Sequence, residues 1–120
     1  MSIHVKKPSR VKSSGNKVKI IDEFIGKINS GNADISIARM KSPAGWIEPA
    51  QKPEFDEYTY VIKGCVQVLS EGKRYQIEAD QLFMAKKGIT VQYSTPGPDG
   101  AEYLAICLPA FSMEMVHRER

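Results

Sequence analysis

Hydrophobic and polar positions alternate along this chain in short runs, each cut off by a turn signal. In ADISIARMKS (residues 33–42), Ile35, Ile37 and Arg39 alternate with Ser36, Ala38 and Met40, and Pro43 and Gly45 end the run. A period of two is the mark of a strand with one face toward a core. Tyr58, Thr59, Tyr60, Val61 and Ile62 form a second run of β-branched and aromatic residues, which favour a pleated surface. Gly64 breaks that run before CVQVLS, and Ser70-Glu71-Gly72 turns the chain into KRYQIEA. QLFMA, ITVQYSTP and AEYLAICLPAF supply three further strands, with the loop PGPDG before the last. VKIIDEFIGKI (18–28) has apolar residues at 20, 21, 24, 25 and 28, compatible with a short helix or a strand pair, and Gly26 weakens the helix. Many short strands at even spacing predict an all-β sandwich or barrel.

At 120 residues the chain is expected to form one domain. No apolar run is long enough to cross a bilayer and no apolar signal-peptide core is visible, so the expected location is cytoplasmic. Cys65 and Cys107 lie in apolar runs and read as buried reduced thiols without CxxC spacing.

The net charge of +3 is unevenly distributed. Residues 1–21 hold six of the 17 basic residues (Lys6, Lys7, Arg10, Lys12, Lys17 and Lys19) and no acid, leaving 11 bases against 14 acids in the remainder. This divides the chain into a basic arm (1–21), a barrel domain (22–112) and a charged tail (113–120). The arm lacks aromatic residues to stack on bases, so nucleic acid is an unexpected partner, and an interaction module using the arm is a minor reading.

One stretch carries chemistry. In GWIEPAQKPEFDEYTYVIKG, Gly45, Gln51, Pro53, Glu57 and Gly64 occupy fixed offsets that resemble the first motif of the cupin family: Gly, five residues, His, one, His, three or four, Glu, six, Gly. The second motif is matched in outline by DQLFMAKKGITVQYSTP, where Asp80, Lys86, Gly88, Val91 and Thr95 fall at its positions and only Gly88 keeps the expected type. The resemblance covers most of residues 33–111. It implies an all-β fold, a small jelly-roll β-barrel (cupin), and a homodimer, since such barrels commonly pair through sheet edges or faces.

In metal-binding cupins three histidines and the glutamate converge on a divalent ion. The equivalent positions here are Gln51, Pro53, Glu57 and Val91. Proline and valine have no donor, and an amide oxygen is a weak ligand for a transition metal. Short segments (DEYTYV, the Lys63-Gly64 turn, STP and CLPAF) further resemble the metal-free cupins of the ethanolamine-utilisation EutQ type. The phosphotransfer attributed to that group does not carry over, because no phosphate-cradling loop is evident.

Glu57 is the candidate catalytic residue: inside a barrel, desolvation would raise its pKa and fit it for proton transfer. A structural, hydrogen-bonded carboxylate is the alternative. By alternation Thr59 and Val61 share its face, while Tyr58 and Tyr60 lie opposite, as packing or dimer-interface residues. Tyr93 shares a face with Val91. The expected ligand-binding set is Gln51, Glu57, Val91, Tyr93 and Arg39, the last as an anion anchor if it follows Ile35 and Ile37 inward. Trp46 reads as a packing residue. His4 and His117 lie in the terminal segments, with His117 able to reach a neighbouring barrel in a segment-swapped dimer.

The first functional expectation is a cavity for a small polar molecule, without a cofactor, any catalysis being proton transfer by Glu57. The second is a divalent-metal enzyme of the isomerase or oxygenase class, with a displaced ligand set from Glu48, Gln51, Glu54 and Glu57. Whether the protein is an enzyme is left open by the sequence.

Overall fold

The computed structural model describes residues 2–119. Nine strands follow in chain order: β1 (Ser9–Val11), β2 (Ile20–Ile25), β3 (Ser36–Ser42), β4 (Trp46–Ile47), β5 (Asp56–Ser70), β6 (Lys73–Glu78), β7 (Leu82–Ala85), β8 (Val91–Thr95) and β9 (Ala101–Leu108), then a single turn of helix, α1 (Met113–Val116). All strand pairings are antiparallel.

The fifteen-residue β5 holds the barrel together, because its two halves belong to different sheets. Its first half pairs with β9 on one side and β7 on the other, and β9 leads on through β3 and β2 to β1. Its second half pairs with β6 and with β8, which carries β4. Gly64 lies where the halves meet. Its φ is +76°, and a Cβ there would lie 2.1 Å from the Gly100 carbonyl oxygen. Only glycine fits that position, so the break expected in the sequence is instead a bend within one continuous strand. At the far end of β5, Glu71 (φ +53°) and Gly72 (φ +75°) form the tight turn into β6.

The segment left open between helix and strand is β2. β1 and β3 take up its hydrogen bonds on both edges, and this tertiary pairing overrides the helical spacing of its apolar residues. Both β1 and the start of β2 fall in the stretch read as a basic arm. That stretch is bound to the barrel: the Trp46 indole donates to the Ser14 carbonyl (3.0 Å) and the Asn16 backbone N–H to the Ile47 carbonyl (3.0 Å).

One core cluster, including Trp46, Val61, Val66, Val68, Val91, Tyr93 and Tyr103, fills the space between the sheets. A second, of Phe55, Cys107 and Val116 with Phe111 and Met115 against it, fixes α1 to the opposite end. Among the described residues no helix is long and apolar enough to cross a membrane.

Candidate functional site

Strand register explains why one end of the barrel is hollow. On the concave face, Met40, Tyr103 and Val61 stand in one row across β3, β9 and β5, and these large side chains meet in the core. The next row reads Ala38, Ala105 and Thr59, and the one beyond it Ser36, Cys107 and Glu57. Apart from Glu57 these are small residues that leave space, and a cavity of about 620 Å³ opens over Ser36, Ala38, Ala105 and Cys107 with Glu57 on its wall.

Glu57 lies on the cavity wall, as the alternation of β5 requires. The side chain is half-buried and lines the cavity. Burial first, and then the charge of Glu48, push its pKa up to about 7, while Lys19 and Arg118 pull the other way. Glu48 is buried beside it. Burial raises its pKa too, opposed by Lys19 and by Arg118, whose Nε lies 3.6 Å from Glu48 Oε2. Gln51 completes the floor. Reciprocal backbone bonds of 2.8 Å with Val91 hold it in place, and its side-chain oxygen is buried without a hydrogen-bond partner among the described residues.

The two cations come from opposite ends of the chain. Lys19 precedes β2; its ammonium lies 4.0 Å from the centroid of the Trp46 ring and donates to the Tyr103 hydroxyl at 3.3 Å. That hydroxyl is 2.9 Å from Ser42 Oγ. Arg118 is delivered by the segment after α1, which zips along residues 50–54: Glu54 N–H to Met115 O (2.8 Å), Lys52 N–H to His117 O (3.2 Å) and Glu119 N–H to Ala50 O (2.7 Å). Ile21, Met40, Ala105, Phe111 and Met113 form an apolar part of the remaining wall, and the charged side chains of Arg10, Lys12 and Glu23 also line it.

The sequence-derived candidates separate into three groups. Glu48, Gln51 and Glu57 meet in the cavity. Val91 and Tyr93 stand behind the wall in the core. The Tyr93 hydroxyl is buried without a hydrogen-bond partner among the described residues, and burial, reinforced by Glu57 and Glu48, holds it well above the usual phenol range. Arg39 and Glu54 lie outside. Arg39 follows Ile37 to the convex face, where it pairs with Asp22 (3.5 Å) and lies over Phe24. Glu54 pairs with His117 of its own chain on the surface. Trp46 is fully buried and serves as the platform for Lys19. Cys65 and Cys107 are free thiols; Cys107 lines the cavity, and burial pushes its pKa far up, so it stays protonated.

Lys19, Arg118 and Cys107 were not among the sequence candidates. Alternation along β9 could have given Cys107, opposite Glu57; the two cations have no local signal, because distant contacts position them.

No protein-family model matches the chain. A curated protein similar in sequence is the endoribonuclease YbeY of Myxococcus xanthus, 40% identical over 101 residues, which are 84% of this chain and 34% of that protein. The chain thus spans about a third of that relative's length. In structure it resembles a predicted oxalate decarboxylase of Thermotoga maritima (TM-score 0.73, 22% identity, 91% of this chain and 99% of the other). It also resembles the EutQ protein of Clostridium difficile (0.64, 20%, 88% and 75%) and the Cnp3 cupin domain of Schizosaccharomyces pombe (0.67, 11%, 85% and 72%). The fold is that of the cupins.

On this cupin barrel the four positions equivalent to metal ligands hold Gln51, Pro53, Glu57 and Val91, of which only Gln51 and Glu57 line the cavity. The displaced set fares little better, since Glu54 points to solvent and Arg118 is the charge partner of Glu48. The two carboxylates and the amide oxygen are flanked by Lys19 and Arg118, whose positive charges oppose a divalent cation at this position.

Proposed function

We propose that this cupin barrel binds a small organic molecule in its cavity and that Glu57 gives a proton to it or takes one from it. The observation that carries the reading is the convergence of Glu57, Glu48 and the unpartnered Gln51 oxygen on one wall of a cavity of about 620 Å³. That volume lies within the range of small-molecule sites, roughly 300–1,000 Å³. A carboxyl group near neutrality can serve as acid or base at physiological pH, because neither protonation state is scarce. The apolar wall would exclude water from the reacting atoms, and Lys19 and Arg118 would balance charge that develops during transfer.

The donor chemistry of the site favours a metal-independent mechanism, with Glu57 as the proton-transfer group. RNA cleavage belongs to the curated relative, and with only about a third of that protein spanned it is no part of this reading.

The test is hydrogen–deuterium exchange of a bound molecule. A thermal-shift screen of carbonyl and hydroxy compounds identifies binders, which are then followed by proton NMR in D₂O with wild type and Glu57→Gln. The expected outcome is enzyme-dependent exchange of a C–H next to the carbonyl, slowed about 10²-fold or more in the variant. Binding without exchange in wild type would remove the catalytic half of the reading. No binder at all would remove both halves.

A further inference from the structure

We infer that the ligand of this cavity is a monocarboxylate carrying a hydroxyl group and an apolar body, held by Lys19 and Arg118 through its carboxylate and by Gln51 through its hydroxyl, and that it binds together with a proton on Glu57. The inference rests on the reading that the cavity takes a small molecule, and adds what that molecule is.

Unfilled hydrogen-bonding capacity defines the ligand. Arg118 Nε is buried and lacks a hydrogen-bond partner among the described residues; Glu48 Oε2, at 3.6 Å, is too far to accept. Among the described residues its Nη1 donates only to the Met113 sulfur at 3.5 Å, a weak acceptor. The Lys19 ammonium has three N–H groups and makes one side-chain hydrogen bond, to Tyr103. Both cations therefore have donors to spare, and a carboxylate matches a guanidinium by accepting two parallel bonds. Gln51 has the opposite need. Its buried oxygen requires a donor, since buried polar groups of native proteins are nearly always paired. A carboxylate cannot supply that donor, but a hydroxyl on the same molecule can. The wall of Ile21, Met40, Ala105, Phe111 and Met113 receives the rest of the skeleton.

Charge fixes the number of carboxylates and the proton. Glu57 faces Glu48 beyond β4, Lys19 before β2, Arg118 from the C-terminal segment, Cys107 on β9 and Tyr93 on β8. The thiol and phenol are neutral. Ionised Glu48 balances one of the two cations, so with Glu57 protonated the floor carries one positive charge, enough for a monoanion. With Glu57 ionised that surplus vanishes. Elsewhere on the wall Arg10 is paired with Asp22 at 2.9 Å, and Glu23 accepts from the backbone N–H groups of Ile28 and Asn29. A dianion such as a phosphate monoester would therefore bring a second charge against Glu48 with only the exposed Lys12, among the described residues, to meet it.

Matched compounds test this on the wild-type chain: mandelate, phenylacetate and mandelamide, with 2-hydroxyhexanoate, hexanoate and 2-hydroxyhexanamide as an aliphatic series. Calorimetric titration should rank each hydroxy acid above its amide by about tenfold or more, as expected for a charged hydrogen bond, and above the deoxy acid by a smaller factor. The hydroxy acid should bind about tenfold more weakly at pH 8 than at pH 6 and take up protons near pH 7, seen as a dependence of heat on the buffer. Arg118→Gln should remove the preference of acid over amide, and Arg118→Lys should retain part of it. Amides that bind as well as acids, or acid binding that ignores pH between 6 and 8, would overturn the inference and leave the small-molecule reading standing. If neither series binds and the thermal-shift screen also yields no ligand, the underlying reading falls with it. The comparison of acid with amide needs no variant, so a misfolded Arg118→Gln would not blunt it.

Discussion

Glu57 titrates near neutrality in the folded barrel, and that has a consequence for stability as well as for chemistry. Its pKa rises from 4.5 to about 7 on folding, so between those values the folded chain holds a proton that the unfolded chain has released. Stability from this group is therefore full below about pH 4.5 and falls as pH rises through 7, by at most about 3 kcal/mol. Urea unfolding at pH 5 and pH 8 should show this loss in wild type, and Glu57→Gln should flatten it and gain stability at pH 8. An equal slope in both proteins would contradict the assignment. Alternation along β5 placed Glu57 inward and Tyr58 and Tyr60 outward correctly, because the side-chain period of a strand is a local property. Arg39 shows where such reasoning fails. Ile35 and Ile37 were read as the inward side because they are apolar, but the inward face of β3 carries Ser36, Ala38 and Met40, and Ile37 and Arg39 face outward.

Among the elements, β5 and the C-terminal segment carry most of the site. The bend at Gly64 swings β5 from one sheet to the other, and it allows a single strand to present Glu57 in the cavity and Val66 and Val68 in the core. Gly64→Ala combines a positive φ with a clash against the Gly100 backbone oxygen. It should cost more than about 1–3 kcal/mol and lower the melting temperature well below that of an alanine at the exposed Gly72 turn, where no atom lies near the added Cβ. Residues 113–120 read from sequence as a charged tail, since Val116, their one buried hydrophobic anchor among the described residues, has no visible periodicity around it. Val116→Ala should cost about 1–2 kcal/mol by leaving a small void beside Phe55. It should also speed amide exchange at Lys52 and Glu54, which the segment protects by hydrogen bonds. Unchanged exchange there would mean that α1 does not hold the zipper closed.

At the scale of the whole molecule, turn spacing and the two glycines of the first motif were enough to foresee a cupin barrel. The cavity was not foreseeable in the same way. It arises from register, which sets Ala38, Ala105 and Thr59 side by side from three strands distant in sequence, and from two terminal segments that close over the space and bring in Lys19 and Arg118. A ligand confined to such a cavity should stabilise the whole fold: at a hundred times its dissociation constant, by about 2.7 kcal/mol. Its effect on the melting temperature should disappear in a variant that fills the hollow row, such as Ala105→Leu, provided that variant folds. Retention of the shift there would place the ligand elsewhere.

Proton transfer in this cavity requires a Glu57 carboxyl that titrates near neutral pH. Its most direct test is a carbon-13 NMR titration of the Glu57 side-chain carboxyl in the intact chain, assigned by its loss in Glu57→Gln. A midpoint near 7, shifted downward but still above 4.5 in Glu48→Gln, is the predicted result. A midpoint at the ordinary glutamate value, unaffected by Glu48, would make Glu57 an ordinary carboxylate and rule out its role as the proton-transfer group.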